Sequence, residues 1–238
     1  MRTVTFTGIF SLLCLSFSSC LFMGPSVRGN GQVTEQERNV EAFNRVKATS
    51  GMNVYLIQGN EHKVVVVADE NLQKVIETRV EDGTLEIKAL ASIWSAKEKK
   101  VIVTAPGLEE IYGTAGSNIF ADSLLKIGNI KVKASAGSNL HLNIEGQSTE
   151  ISASSGANIF IKGSSHDVIT KVSSGANIKA GDLKIQNCEA SASSGGNIWL
   201  NVKEKLTAHA SSGGNIFYSG TPAETKVTSS TGGNTIKK

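Results

Sequence analysis

From residue 110 to the end of the chain, apolar and polar residues alternate with a period of two. In this part small or aliphatic residues alternate with Ser, Thr and Lys, as in residues 153–161 with the sequence ASSGANIFI. Such alternation predicts strands that bury one face. No stripe of apolar residues at the 3.6-residue spacing of a helix occurs there, so the pattern predicts an all-β fold.

A short motif, Gly-x-Asn followed by an aliphatic residue, interrupts the alternation at regular intervals. Its leading glycines are Gly116, Gly137, Gly156, Gly175, Gly195, Gly213 and Gly232, which are 21, 19, 19, 20, 18 and 19 residues apart. A repeat of about 19 residues is too short for a propeller blade and suits one coil of a β-solenoid. We therefore predict a single-stranded parallel β-helix over residues 107–238, with coils about 4.8 Å apart. A weaker relative of the motif, SGMNVY, begins at Ser50.

Equivalent positions of successive coils form columns along such a solenoid. The residue after each Asn is aliphatic in nearly every coil, so this column is predicted to face the core. Gly and Asn both tolerate positive φ, so the Gly-x-Asn segment is predicted to form a corner. The stacked asparagines are predicted to form a ladder of side-chain amides. They are Asn118, Asn139, Asn158, Asn177, Asn197, Asn215 and Asn234.

The position two residues after each Asn is predicted to face outward, because the position before it faces the core. This column, which we call the stripe, contains Phe120, His141, Phe160, Lys179, Trp199, Phe217 and Ile236. Its first six members are the predicted binding residues, since aromatic rings stack on sugars and anchor protein partners. The alternative is that the N-terminal part, with Trp94, covers the stripe, or that two molecules pair along it.

Residues 40–106 lack the regular repeat and are predicted to form a mostly-β segment that caps the solenoid. Within it, Leu72, Val75, Ile76 and Val80 have helix-like spacing and predict one short helix. The boundary with the solenoid is predicted near Pro106 and Gly107.

The N-terminus has the features of a secreted protein. One arginine precedes an apolar run that is too short to span a bilayer, which predicts a signal peptide over residues 1–19. The run ends in small residues before Cys20, as in a bacterial lipobox, so Cys20 is the predicted lipidation site and residues 20–39 the lipidated Cys and its tether. These features predict an outer-membrane lipoprotein held by its lipid anchor, with the membrane face left open. The alternative is an ordinary secreted protein that is cleaved nearby.

Charge and residue type predict a binding protein rather than an enzyme. The chain has 24 basic and 21 acidic residues spread along its length, which argues against a nucleic-acid partner. Asp122 and Asp182 lie three coils apart, too far for a catalytic carboxylate pair, and no arginine follows Arg79. The histidines fall in different registers, so neither a metal site nor a cofactor is predicted. Cys188 is predicted to be a small buried hydrophobic residue.

The order of several segments resembles one family. FNRVKATSGMNVYLIQG, DGTLEIKA and VIVTAPGLEEIYGTAGSNI precede the Gly-x-Asn coils, and the chain from about residue 40 onward is similar to the bacterial auto-transporter adhesins with a head GIN domain. The resemblance implies a right-handed β-helix-like fold and a location in the cell envelope, and it carries over no catalytic residue. The predicted function is a non-enzymatic envelope lipoprotein that binds glycans or proteins. The alternatives are a periplasm-facing structural or accessory lipoprotein and, less favoured, a β-helix enzyme acting on polysaccharides. A second copy of the chain, paired along the stripe as a homo-oligomer, is a further candidate partner.

Overall fold

A computed structural model describes residues 26–238, and nearly every regular element in this range is a β-strand. One three-residue 3-10 turn, Glu70–Leu72, is the exception, and the described range contains no helix that is long and apolar enough to cross a membrane. The strands are β1 (Ser26–Arg28), β2 (Val33–Arg38), β3 (Arg45–Ala48), β4 (Asn53–Gln58), β5 (Lys63–Asp69), β6 (Ile76–Glu81), β7 (Thr84–Ala89), β8 (Ser92–Ser95), β9 (Lys99–Ala105), β10 (Glu110–Gly113), β11 (Asn118–Ala134), β12 (Asn139–Ala153), β13 (Asn158–Val172), β14 (Asn177–Ala192), β15 (Asn197–Ala210), β16 (Asn215–Ser219), β17 (Glu224–Ser229) and β18 (Asn234–Lys237).

The strands from β10 onward stack in parallel as successive coils of a solenoid. Asn118 pairs with Asn139 and Asn139 with Asn158, so each repeat lies directly over the one before it. The residue after each of these asparagines is fully buried, as Ile119, Leu140 and Ile159 show. The predicted all-β solenoid with coils of about 19 residues is therefore confirmed.

A tight turn of two left-handed residues forms the corner of each coil. In one coil these residues are Ser155 (φ 52°) and Gly156 (φ 70°), and the N–H of Ala157 donates to the carbonyl of Ser154 over 3.1 Å. Two consecutive positive φ angles are those of a type I′ turn. The prediction of positive φ at Gly and Asn was thus correct for Gly and wrong for Asn, because the turn uses Gly and the residue before it. The Asn already begins the next strand.

The residue after the turn glycine becomes smaller from the first coil to the last. Ser117 and Ser138 are fully buried, and Ser117 Oγ donates to the carbonyl of Ala48 over 3.0 Å. Near the other end, a Cβ on Gly214 would come within 2.5 Å of the backbone of Ala192. The full column reads Met52, Ser117, Ser138, Ala157, Ala176, Gly196, Gly214 and Gly233. The interior at this corner therefore narrows along the rod.

Two further coils lie upstream of residue 107, in an order that differs from the chain order. Strands β3 and β4 pair in parallel with β10 and β11, so the SGMNVY segment is a coil of the solenoid. Strands β7 and β9 pair in parallel with β3 and β4 on the other side. The predicted boundary near Pro106 and Gly107 therefore needs correction. The regular interval was not visible there because the chain forms strands β5 to β9 between two coils that stack directly on each other.

Antiparallel strands close the N-terminal end of the rod. Strand β6 pairs antiparallel with β7, while β5 pairs antiparallel with both β9 and β2. This arrangement covers backbone groups that an open parallel coil would leave unpaired. It also corrects two predictions. The expected helix is a single 3-10 turn followed by strand β6, and the described part of the expected tether, residues 26–39, contains strands β1 and β2.

The buried carboxylate of Asp69 ties the folded N-terminus to the loop before β9. It accepts backbone N–H groups from Gly31 (2.9 Å), Lys97 (3.2 Å) and Glu98 (3.1 Å), and its side chain is inaccessible to solvent. Burial alone would raise the pKa of Asp69, but the three backbone donors together outweigh it, and the pKa is lowered from its usual value. The carboxylate therefore remains charged and acts as the hub of this contact.

Candidate functional site

An unbroken ladder of asparagine side chains lies along one corner of the rod. Each Nδ2 donates to the Oδ1 of the asparagine one coil nearer the cap, over 2.9–3.1 Å. The donor–acceptor pairs are Asn118–Asn53, Asn139–Asn118, Asn158–Asn139, Asn177–Asn158, Asn197–Asn177, Asn215–Asn197 and Asn234–Asn215. The structure thus adds Asn53 to the seven asparagines of the sequence prediction. These amides satisfy one another, so the ladder is a structural element of the rod.

The stripe forms a stack of nearly parallel rings beside this ladder. Ring centroids are 5.5 Å apart between Phe120 and His141, 4.4 Å between His141 and Phe160, and 5.3 Å between Trp199 and Phe217. The angles between these ring planes are 20° or less. Each ring therefore covers the faces of its neighbours and presents mainly its edge to solvent.

Tyr55 extends the stack by one coil and was missed in the sequence. Its ring lies 5.0 Å from that of Phe120, with an interplanar angle of 25°. The signal was present, since Tyr55 stands two residues after Asn53 in the SGMNVY segment. Recognising that segment as a coil would have identified it.

The rest of the N-terminal part does not cover the stripe. His141 and Lys179 are exposed, and Phe120, Phe160 and Trp199 are half-buried. Trp94 lies on β8, which pairs with β1, and 69% of it is exposed. None of the ring contacts of the stripe within residues 26–238 involves Trp94, so the structure does not support the alternative in which Trp94 folds over it. Pairing of two molecules along the stripe remains a separate hypothesis.

An open groove of about 590 Å³ runs beside the middle of the stripe. The rings of His141, Phe160 and Trp199 form one side of it. The groove is also lined by four charged residues, Asp122, Asp182, Lys162 and Lys179. The sequence placed Asp122 and Asp182 three coils apart, and the structure places both along this one groove.

The stack of rings is interrupted at Lys179. Its ammonium nitrogen lies 4.8 Å from the ring centroid of Phe160 and 6.0 Å from that of Trp199. These are cation–π distances, and they place the lysine between two aromatic faces. Lys179 therefore occupies the place that a ring takes in the coils on either side.

Residues 26–238 contain no group of three His, Cys, Asp or Glu side chains that could hold a metal ion. His166 Nδ1 lies 3.1 Å from Asp167 Oδ2 on an exposed edge. Hydrogen bonds lower the pKa of Asp167, the one from Asn187 having the larger effect and the one from His166 the smaller.

Burial, with a smaller effect of Glu189, raises the pKa of the Cys188 thiol to about 12, so this residue is a poor nucleophile. Cys20 lies outside the described residues, so the structure does not show its state.

Several solved structures share this fold. A putative adhesin from Bacteroides fragilis NCTC 9343 superposes with a TM-score of 0.81 at 22% identity, covering 89% of this chain and 99% of its own. A putative adhesin from Parabacteroides merdae ATCC 43184 gives 0.70 at 20% identity, with 90% and 100% coverage. A putative lipid binding protein from Parabacteroides distasonis ATCC 8503 gives 0.68 at 19% identity, also with 90% and 100% coverage.

No curated protein sequence matches the chain significantly. Residues 42–222 match the family described as "Putative auto-transporter adhesin, head GIN domain". This match begins after β2 and spans the capping strands β5 and β6, both out-of-order coils and most of the regular repeats. The protein therefore belongs to the head GIN domain family of putative auto-transporter adhesins.

Proposed function

We propose that this protein is a non-enzymatic adhesin of the cell envelope that binds glycans along the stripe and its groove. The observation that carries the proposal is the uncovered stack of aromatic side chains beside a groove lined with charged groups. Family membership agrees with it, as do the names of the structural neighbours, two of which are called putative adhesins.

Two outward columns supply the two kinds of contact that sugars need. The stripe offers apolar ring edges, which suit the C–H groups of pyranose rings. Two residues further along each strand lies a polar column with Asp122, Asn143, Lys162 and Asn201. Carboxylate, amide and ammonium groups at this spacing can pair with sugar hydroxyls. A larger groove of about 640 Å³, which includes Asn44 and Lys131, has no aromatic ring in its lining and therefore supports the proposal less well.

Repetition along the rod would turn weak contacts into useful affinity. Equivalent positions recur about every 4.8 Å along the stack. A polysaccharide that lies along the rod meets several of them at once, and the second contact is effectively intramolecular. The stiffness of the stacked coils keeps these positions in register.

The proposal includes a lipid anchor at Cys20 in the outer membrane. Strand β1 begins at Ser26, so only a few residues would separate the anchor from the folded cap. Leu90 and Trp94 on the capping part are 60% and 69% exposed, as suits side chains that touch a bilayer interface. The stripe would then extend away from the membrane. Mass spectrometry of the mature N-terminus tests the anchor, and an unmodified N-terminus beyond Cys20 would remove it.

Affinity electrophoresis in gels that contain single polysaccharides tests the binding surface. Phe160→Ser combined with Trp199→Ser is expected to abolish retardation. The matched control is Ile169→Ser, which also removes an exposed apolar side chain but from another face of the rod. Retardation that survives the double substitution in a folded protein would overturn the proposal.

Protease treatment of intact cells distinguishes the adhesin from the periplasm-facing alternative. Digestion of this protein, while a periplasmic marker stays intact, is the expected result. Complete protection would contradict direct adhesion and favour a structural role inside the envelope.

A further inference from the structure

The stack of rings contains one internal position where aromatic faces are not covered by other rings. Between Tyr55 and Phe160, and again between Trp199 and Phe217, neighbouring rings stack on each other. A sugar that meets these segments can touch only ring edges. At Lys179, one face of Phe160 and one face of Trp199 are covered only by a flexible lysine side chain.

The spacing at this break fits one six-membered ring. Phe160 and Trp199 are two coils apart, about 9.6 Å along the rod. A ring inserted halfway would lie about 4.8 Å from each, within the range for stacked rings. The space beside the neighbouring Gly181 is open, since a Cβ there would meet nothing within 4 Å. Strand pairing is also interrupted at this level, between Ala180 and Lys184.

We propose that this break is the primary sugar subsite, in which Lys179 swings outward and a neutral pyranose ring inserts between Phe160 and Trp199. The inference rests on the proposed glycan binding and specifies where it is strongest. C–H groups on both sides of a pyranose then pack on aromatic faces, a contact that the rest of the stripe does not offer. The displaced ammonium group is free to donate to a ring or hydroxyl oxygen of the sugar.

The charges around the break favour an uncharged sugar. Two carboxylates, of Asp122 and Asp182, and two ammonium groups, of Lys162 and Lys179, line the groove and cancel each other. None of the four forms an ion pair within the described residues. The carboxylates can each accept two hydrogen bonds from neighbouring hydroxyl groups, and the lysines can donate. Acidic sugars would meet the carboxylates and gain no net attraction.

The test uses Trp199 as the reporter. Trp94 is the other tryptophan of the chain, so Trp94→Phe leaves Trp199 as the sole source of tryptophan emission. The Trp94→Phe protein, which serves as the parent of this assay, is titrated with oligosaccharides of neutral glucans, mannans, galactans and xylans, and with polyuronates for comparison. A saturable change of Trp199 emission with a neutral oligosaccharide, and none with polyuronates, is expected.

Two substitutions of Lys179 separate the gap from the lysine itself. Lys179→Phe fills the gap with a ring and should weaken binding at least about fivefold. Lys179→Ala opens the gap and should keep the saturable emission change. Ile169→Phe adds a ring on another face and serves as the control. Circular dichroism and thermal unfolding establish that each variant is folded.

The outcomes distinguish this inference from the function on which it rests. If Lys179→Phe binds as tightly as the parent while Phe160→Ser with Trp199→Ser abolishes binding, the stripe binds glycans and the subsite is overturned. If Lys179→Ala also loses the response, the ammonium group and not the gap is responsible, which likewise overturns it. If no glycan binds the parent in either assay, both proposals fail together.

Discussion

Asn118 Nδ2 donates a hydrogen bond to Asn53 Oδ1 over 2.9 Å, although 65 residues separate the two in the chain. This contact joins the regular repeat to a coil that is laid down much earlier in the sequence. Strands β5 to β9, which lie between the two in the chain, are on the other side of that coil and close the rod. The ladder is therefore continuous through a reversal of chain order.

The middle of the ladder should contribute more to stability than its end. Asn158→Ala removes the amide that donates to Asn139 Oδ1 and the oxygen that accepts from Asn177 Nδ2. These two half-buried partner groups are then unpaired, at a cost of about 1–3 kcal/mol. Asn234 is exposed and has one ladder bond, so Asn234→Ala should cost less than about 1 kcal/mol. Urea denaturation measures both, and equal losses would contradict a cooperative ladder.

The corner turns should respond oppositely to substitution at their two central residues. Ala136 has a φ of 47°, a conformation that is costly for alanine, so Ala136→Gly is expected to stabilise by a few tenths to about 1 kcal/mol. Gly137 has a φ of 71° and open space around it, so Gly137→Ala should destabilise by about 1–2 kcal/mol through the backbone alone. Thermal unfolding of the two variants gives the signs, and two losses of similar size would argue against the turn type.

Asp69 should make the capping part sensitive to acid. Its pKa is lowered in the folded protein, so its stabilising effect is complete above the unfolded value of about 3.9 and disappears as the pH falls through the lower folded value. Asp69→Asn should be less stable at pH 7, because an amide accepts fewer of the backbone N–H groups. The free energy of unfolding of Asp69→Asn should also fall less below pH 4 than that of the parent protein. Urea denaturation at several pH values checks this, and parallel curves for the two proteins would disprove it.

Cys188 should be inert in the folded protein. Because burial raises its pKa to about 12, the thiol remains neutral at pH 8 and offers almost no thiolate to an alkylating reagent. Iodoacetamide at pH 8 is expected to label Cys188 only after denaturant is added, as read by mass spectrometry of the peptide. Labelling of the native protein at the rate of free glutathione would show that the residue is accessible.

Adding one methyl group at the narrow end of the rod should lower the stability of the protein. Gly214→Ala would place a Cβ about 2.5 Å from the carbonyl of Ala192, so backbone must move and a loss of about 1–3 kcal/mol is expected. Gly128→Ala is the control, since its Cβ would meet nothing within 4 Å and its φ is not positive. Thermal unfolding compares the two, and equal effects would mean that the corner yields easily.

The fold could be predicted from the sequence wherever stacking places the same demand on every coil. A buried aliphatic side chain, a turn glycine and a ladder asparagine are needed at each level, so they recur about every 19 residues and are visible without a structure. The segment that contains Asn53 was recognised only as a weaker relative of the motif and not as a coil, because its neighbour in space is not its neighbour in the chain. The helix expected around Ile76 failed because the apolar spacing of a short segment fits a turn followed by a strand equally well.

The candidate site could be predicted only in part. Alternation along the strands identified Phe160 and Trp199 as members of one outward column, and the structure places both on the stripe. The orientation of the rings depends on side-chain rotamers and on contacts between coils, which periodicity does not contain. The covered ring faces and the gap at Lys179 therefore emerged only from the geometry.

The size of the residue after the turn glycine distinguishes one group of coils from the next. The segments ASSGGNIWLN and ASSGGNIFYS are so alike that one could take the place of the other while the chain folds, shifting the stack by a whole level. A shift by one level toward the cap would leave voids where Ser138 or Ala176 belongs. A shift the other way would force the methyl group of Ala176 into the space of Gly196, where a Cβ would come within 2.9 Å of Val172. The graded column thus opposes such slippage and lets a repetitive sequence find one register.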